Sequence, residues 1–293
     1  MRELDHRSGG ENCLDDIRRQ VRDSLPLLTT RVPAHVRQRL HAAVANLRNI
    51  AGWARFDAGL VSSAHHHFGH ALALVGLARA DGLTANVCYR LGRVFLHHGQ
   101  IDKALRHFDI GRLAAAKAGD DLAAGILSVN AAWAYAKKGA EHGALALLDR
   151  GQDEFAAVNR VDVAGWAAFF TEAELSAIAR AVHTDLSVTV GRRHARTAVP
   201  LLTTAIGEYD EILVRGRTFS LILLSTSHLV EGDVQGVVDC GMRALTMSAL
   251  VDSARVRDRF RPLASLVRRH EDYAGAWGLA DHIDAGHGTS RAS

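Results

Sequence analysis

The 293 residues carry 35 Lys and Arg against 32 Asp and Glu, a formal charge of +3, and 48% of them are hydrophobic. So balanced a charge makes no electrostatic case for or against a nucleic-acid surface, and no apolar run approaches the roughly 20 residues that a membrane span requires. Cys13, Cys88 and Cys240 lie far apart with no CxxC pair, so neither a disulfide framework nor a thiolate metal site is expected. The start, MRELDHRSGG, is polar and charged, unlike a secretory signal, and a soluble, cytoplasmic protein is expected.

Residues 1–10 read as a flexible start. From there, Leu14, Ile17, Val21, Leu25 and Leu28 recur at helical spacing behind Asp15 and Asp16, which suit the positive end of a helix. Pro33 fits the first turn of a second helix that carries Val36, Leu40, Val44 and Leu47 and runs to Asp57. Residues 11–44 are thus expected to cap a helical array. Only Pro26, Pro33, Pro200 and Pro262 occur in the chain, which agrees with an all-helical fold because proline is kept out of helix interiors.

Between Ala45 and Gly151 one pattern is written three times at a spacing of 40 residues. Gly59, Gly99 and Gly139 are followed five residues later by Ala64, Ala104 and Ala144. Phe68, Phe108 and Leu148 come next, then Ala71, Gly111 and Gly151, while Gly52, Gly92 and Ala132 precede each set. Such a period marks units that bury their apolar faces against one another. Each unit reads as two antiparallel helices, the glycine ending the first, with small residues admitting the large ones where the helices cross. After Gly151, the apolar stretch Val161–Val182 reads as a first helix. The arginine-bearing segment Thr184–Arg196 reads as a loop or hairpin insertion, and Ala198, Leu202 and Ala205 resume the second-helix pattern. A further unit has Gly232 as its turn and Val237, Gly241 and Ala244 as packing positions. Units are therefore expected at about 45–80, 81–120, 121–160, 161–210 and 211–250, within one array spanning 11–285. Terminal helices fall in 251–285 and a disordered tail in 286–293.

These spacings resemble the tetratricopeptide repeat, whose unit is usually about 34 residues. The resemblance implies an all-α, right-handed superhelix of antiparallel helix pairs. In such arrays the first helices line a concave groove. Stepping by helical turns from each glycine selects Asn46, Asn49, Trp53, Phe56 and Asp57, then Asn86, Tyr89, Arg93 and His97, then Asn130, Trp133 and Lys137. Asparagine amides both donate and accept, which suits gripping of an extended peptide. Three strings, Leu47–Gly59, Gly165–Leu175 and Asp252–Arg257, further resemble the C-terminal region of actinobacterial helix-turn-helix regulators of the XRE type, many of which sit near secondary-metabolite genes. The resemblance implies that the family's helix-turn-helix domain would lie before Asp5, and the region from Asp5 onwards is expected to be the part that follows it. The implied role is a sensor or partner-binding module that takes a peptide, small molecule or protein, with homodimerisation open and direct nucleic-acid binding not expected.

Two other classes remain open on sequence: an interaction scaffold without a small ligand, and a helical biosynthetic enzyme that uses metal through its histidines. His66 and His70 stand i,i+4, and His97 falls in the next unit. However, HHFGH lacks the glutamate of a HExxH hydrolase, so no metal and no cofactor is expected. Neither a nucleophile elbow nor a phosphate loop is present, and Glu172 and Glu174, two apart, face different ways on a helix. The run Arg255, Arg257, Arg259 and Arg261 is interleaved with Asp252 and Asp258 and reads as a solvated helix face.

Overall fold

The computed structural model of the chain describes residues 11–158, 166–208, 213–251, 253–269 and 271–288. Among these residues there are thirteen α-helices and no strand. They divide into two compact units, Gly10–Ala179 and Arg180–Ser293, the division falling inside the eighth helix.

The N-terminal unit begins with α1 (Glu11–Ser24), a 3₁₀ turn (Pro26–Thr29) and α2 (Ala34–Asp57). Ile17 and Val21 of α1 are buried against Ala51, Leu47 and Ile50 of α2, so the first helix covers the outer face of the second. Next come α3 (Val61–Ala78), α4 (Asp81–His97), α5 (Ile101–Ala118), α6 (Asp121–Lys138) and α7 (Glu141–Ala156). The pairs α2/α3, α4/α5 and α6/α7 pack along their lengths, and connections of two or three residues oblige each pair to run antiparallel. The second helix of one pair also packs on the first helix of the next, and α4 touches both α2 and α6.

The turns explain the repeated glycines. Gly59, Gly99 and Gly139 have φ of 78°, 70° and 76°, the left-handed conformation that ends a helix and that a Cβ disfavours. Between pairs, Gly119 does the same with φ 63°, and Arg79, 40 residues earlier, is held at φ 51°.

The small residues inside the helices have a steric role. A Cβ built on Gly92 would lie 2.2 Å from Cε1 of Phe108, and one on Gly52 2.9 Å from Cε1 of Phe68. Both phenylalanines are fully buried, each lying against the bare backbone of its partner helix. In the third pair the same positions hold Ala132 and Leu148, an exchange that moves volume from the second helix to the first. A second close approach joins successive pairs, since a Cβ on Gly111 of α5 would meet Leu127 of α6 at 2.8 Å; within the third pair, one on Gly151 of α7 would meet Val129 of α6 at 2.4 Å.

The division falls inside α8 (Glu172–Thr189), and the C-terminal unit holds its part from Arg180 onwards, then α9 (Arg193–Glu208), α10 (Val214–Glu231), α11 (Val234–Ser248), α12 (Ala254–Arg268) and α13 (Trp277–Gly288), with a 3₁₀ turn at Glu271–Ala276. Here α9 packs on α10, α10 on α11 and α12, and α12 on α13. Leu202, Leu221, Phe260, Leu263, Leu279 and Ile283 form the centre of one buried cluster. Gly241 again admits a large residue, since its Cβ would lie 2.4 Å from Leu279.

Several expectations are corrected. Thr184–Arg196 is no loop or hairpin: α8 continues to Thr189 and α9 starts at Arg193, leaving a turn of three residues. Thr184, Ser187 and His194 within it are buried, and Ser187 and Thr189 bond back to the carbonyls of Thr184 and Asp185. The first helix of that pair does not begin at Val161 either. Residues 159–165 lie outside the described part, Trp166–Phe169 form a turn, and α8 opens at Glu172. Pro200 and Pro262 stand inside α9 and α12. Both are exposed, so the missing N–H bond falls on the solvent side. Finally, α13 runs to Gly288, past the expected start of the tail; residues 1–10 and 289–293 lie outside the described part.

Gly92→Ala should destabilise the chain by about 1–3 kcal/mol through overpacking against Phe108. Adding Phe108→Leu, which copies the Ala132 and Leu148 combination, should recover most of that loss in urea unfolding. A double variant no more stable than Gly92→Ala would contradict the pairing.

Candidate ligand-binding face

The candidate face is built by α2, α4 and α6, the first helices of three successive pairs, all within the N-terminal unit. Positions 53, 93 and 133 are equivalent at the 40-residue spacing and hold Trp, Arg and Trp. α4 lies between its two neighbours and reaches both ways. Arg90 donates from Nη1 to the backbone oxygen of Asn49 at 2.9 Å, and its guanidinium carbon lies 5.7 Å from the Trp53 ring centre. Arg93 reaches forward, donating to Asn130 Oδ1 at 3.0 Å and stacking 4.9 Å from the centre of Trp133. Asn130 in turn donates to the Ile126 carbonyl at 2.6 Å, and Lys137 Nζ lies 5.9 Å from Trp133. Guanidinium stacking on indole contributes on the order of 1–2 kcal/mol when partly desolvated, so this row fastens three helix pairs together.

The sequence-derived residues occupy distinct environments. Asn46 is exposed; Trp53, Arg93, His97 and Lys137 are half-buried; Asn49, Phe56, Asp57, Asn86, Tyr89, Asn130 and Trp133 are buried. Phe56 belongs to the apolar core, and His97 packs edge-on against it with ring centres 5.2 Å apart. Asn49 and Asn86 differ from the rest. Their exposures are 0% and 1%, and neither the amide nitrogen nor the amide oxygen of either side chain has a hydrogen-bond partner. Leaving a buried polar group unsatisfied costs about 1–3 kcal/mol, and protein interiors rarely tolerate it. Asn86 stands one helical turn before Arg90, and Arg90 bonds to Asn49, so the two unsatisfied amides lie on the facing surfaces of α4 and α2.

Three participants were not selected from sequence. Arg90 escaped because stepping by turns along α4 took Asn86, Tyr89, Arg93 and His97, although Arg90 stands i+4 from Asn86. Trp166 and Phe169 were assigned to a helix, whereas the turn that carries them lies on α4. Tyr89 stacks with Phe169 at 6.0 Å and with Trp166 at 6.3 Å between ring centres, and Phe170 is anchored on Phe155 at 5.7 Å. An aromatic wall thus stands one turn from Asn86.

On α3 the histidines are arranged by packing. The rings of His66 and His70 are 4.5 Å apart, while His65 stacks on Phe95 at 5.1 Å. Among the described residues no group of three or more His, Cys, Asp or Glu is placed to hold a metal ion. His67 lies 3.4 Å from Arg48 through Nδ1. An arginine only donates, so this contact requires Nδ1 to be unprotonated. Burial, then Arg48 and Arg55, then His66 and His70, push the His67 pKa down to about 4. Burial lowers His65 and His70 as well, with His98, Lys103 and His107 adding to the effect on His65, and Arg48 and His66 on His70. Burial pushes the Cys88 thiol up to about 11, which leaves it unreactive at neutral pH. No described helix is long and apolar enough to cross a membrane.

Against known proteins, no family model and no curated protein matches the chain.

The histidine shifts set a pH dependence. The unfolded chain binds a proton at His67 below its ordinary value of 6.5, but the folded chain resists it until about 4. Stability is therefore complete above 6.5 and is lost as pH falls between these values. Thermal unfolding measured from neutral pH towards 4 should show a falling midpoint, and His67→Gln should flatten that fall. An unchanged profile in His67→Gln would contradict the assignment to His67.

Proposed function

We propose that the chain is a binding module of the tetratricopeptide type, the sensor or partner-binding part of a transcriptional regulator, and that the face of α2, α4 and α6 takes an extended peptide. The observation that supports this reading most is the pair of buried, unsatisfied amides at Asn49 and Asn86. Each amide offers one acceptor and two donor hydrogens, the complement of a peptide unit in an extended chain, and because both are buried a peptide reaches them by parting α2 from α4. A folded protein that retains two such groups beside a well-satisfied network of Arg90, Arg93 and Asn130 bears a stability cost where a ligand would offset it. The aromatic wall of Tyr89, Trp166 and Phe169 supplies apolar area beside those amides, in keeping with sites that combine many apolar contacts with few polar ones. The regulator assignment is supported by the resemblance of Leu47–Gly59, Gly165–Leu175 and Asp252–Arg257 to the helical region of helix-turn-helix regulators. In that setting a ligand acts by preferring one curvature of the array over another, which shifts docking or dimerisation by the difference in affinity.

A displayed library of random linear peptides, selected on the purified chain, tests this reading. Peptides that enrich should bind the Asn49→Leu/Asn86→Leu variant about tenfold or more weakly, because leucine keeps the shape but offers no hydrogen bonds. The same variant should unfold at a higher temperature, since two buried unsatisfied amides have been removed. Unchanged affinity, or failure to enrich any peptide, would contradict the proposal.

A further inference from the structure

A second constellation lies on another side of α2, independent of the peptide-binding reading. α2 is covered twice: Leu47, Ile50, Ala51 and Ala54 meet Ile17 and Val21 of α1, while Gly52 receives Phe68 of α3, with Ala45 in the same cluster. At about 100° per residue, Arg48 and Arg55 fall between these two faces, in the crevice between α1 and α3. Both are buried, with 7 and 9% exposure, and the Nε of each has no hydrogen-bond partner. Arg48 reaches Nδ1 of His67 on α3 at 3.4 Å. The carboxylates of these helices are engaged or turned elsewhere. On α1, Asp15 and Asp16 pair with Arg18 and Arg19, and Asp23 with Arg22, all of them exposed. Asp57, the only acid on α2, falls on the opposite side of that helix by the same repeat, and α3 carries no acid.

The electrostatics agree with this placement. Burial lowers the Arg48 pKa with no counter-charge to oppose it. Around His67, burial comes first, and Arg48, Arg55, His66 and His70 then act in the same direction, again with no carboxylate against them. A buried guanidinium without a counter-charge is costly, and an anion removes that cost. We propose that the crevice between α1 and α3 binds the phosphate group of a small ligand on Arg48 and Arg55. His67 is neutral near pH 7, so the two guanidiniums supply two positive charges. A phosphate group brings about two negative charges and a carboxylate only one. Each guanidinium presents a planar fork of N–H donors, which matches the oxygens of phosphate. Because both arginines are buried, the anion enters as α1 lifts from α2, where Ile17 and Val21 hold it.

Inorganic phosphate is the probe, titrated into the intact chain by calorimetry and by thermal unfolding at constant pH and ionic strength, with acetate and chloride as separate arms. Phosphate should bind, raise the unfolding midpoint and shift the ring resonances of His67 at the concentrations that saturate binding; acetate should do less. Arg48→Gln and Arg55→Gln should each weaken phosphate by about tenfold, the scale of one charge-assisted bond. Arg39→Gln removes the same charge from an exposed position of α2 and should leave binding unchanged. Arg55→Met keeps much of the side-chain length without the charge. It should unfold no lower than the parent in the absence of phosphate and should lose the stabilisation by phosphate. Circular dichroism of each variant separates lost binding from lost folding. The proposal is overturned if phosphate stabilises no more than chloride, if acetate matches phosphate, or if His67 is unmoved at saturation. It is also overturned if Arg39→Gln weakens binding as much as Arg55→Gln, or if Arg55→Met unfolds below the parent without phosphate.

Discussion

Everything in the N-terminal unit depends on the approach of one helix backbone to an aromatic ring on its partner. Phe68 and Phe108 are fully buried only because Gly52 and Gly92 offer no side chain, and the third pair meets the same constraint with Ala132 and Leu148. Close packing of this kind is sensitive to a single methyl group. It sets the distance between the helices of each pair, and Gly111, against Leu127, then sets the distance from the second pair to the third. With those distances set, side chains on α4 can reach α2 in one direction and α6 in the other. The row of Arg90, Arg93, Trp53 and Trp133 is thus a consequence of glycines buried on another face.

The architecture was legible where it rested on steric necessity. Gly59, Gly99 and Gly139 were readable as helix ends because only glycine adopts their positive φ without cost, and the alternation of small and large residues announced the crossings. The segment Thr184–Arg196 was misread for a physical reason: polarity was taken as exposure. Thr184, Ser187, Ser225 and Ser227 are buried in the C-terminal unit, their hydroxyls turned to backbone carbonyls or to one another. A hydroxyl satisfied within its own helix is nearly as easy to bury as a methyl group, and composition does not reveal this. Pro200 and Pro262 were a similar case, tolerated in helices because their unbonded side faces water.

The candidate face was partly legible. Periodicity located the first helices and pointed to Asn49, Asn86, Arg93 and Trp133, but could not separate fastening from availability. Asn130, equally buried, is bound to Arg93 and Ile126; the side-chain amides of Asn49 and Asn86 are not bound at all. That difference arises from where an arginine on the neighbouring helix ends, and no spacing rule contains it. Trp166 and Phe169 were beyond reach for another reason, since a contact made by a turn far along the chain leaves no local pattern.

Two kinds of position therefore coexist in one repeat: those that recur every 40 residues and set the spacing of the helices, and those that vary, of which Arg93, Asn130 and Trp133 fasten neighbouring helices while Asn49 and Asn86 are proposed to meet a partner. The claim that Asn49 and Asn86 meet a partner is tested most directly by their own side-chain amide resonances, monitored by nuclear magnetic resonance while a library-selected peptide is added. The expected result is that both amide pairs shift and become protected from exchange at the peptide concentrations that saturate binding. Saturation that leaves both pairs unmoved while other resonances shift would show that the peptide sits elsewhere and that the two amides are unsatisfied for no functional reason.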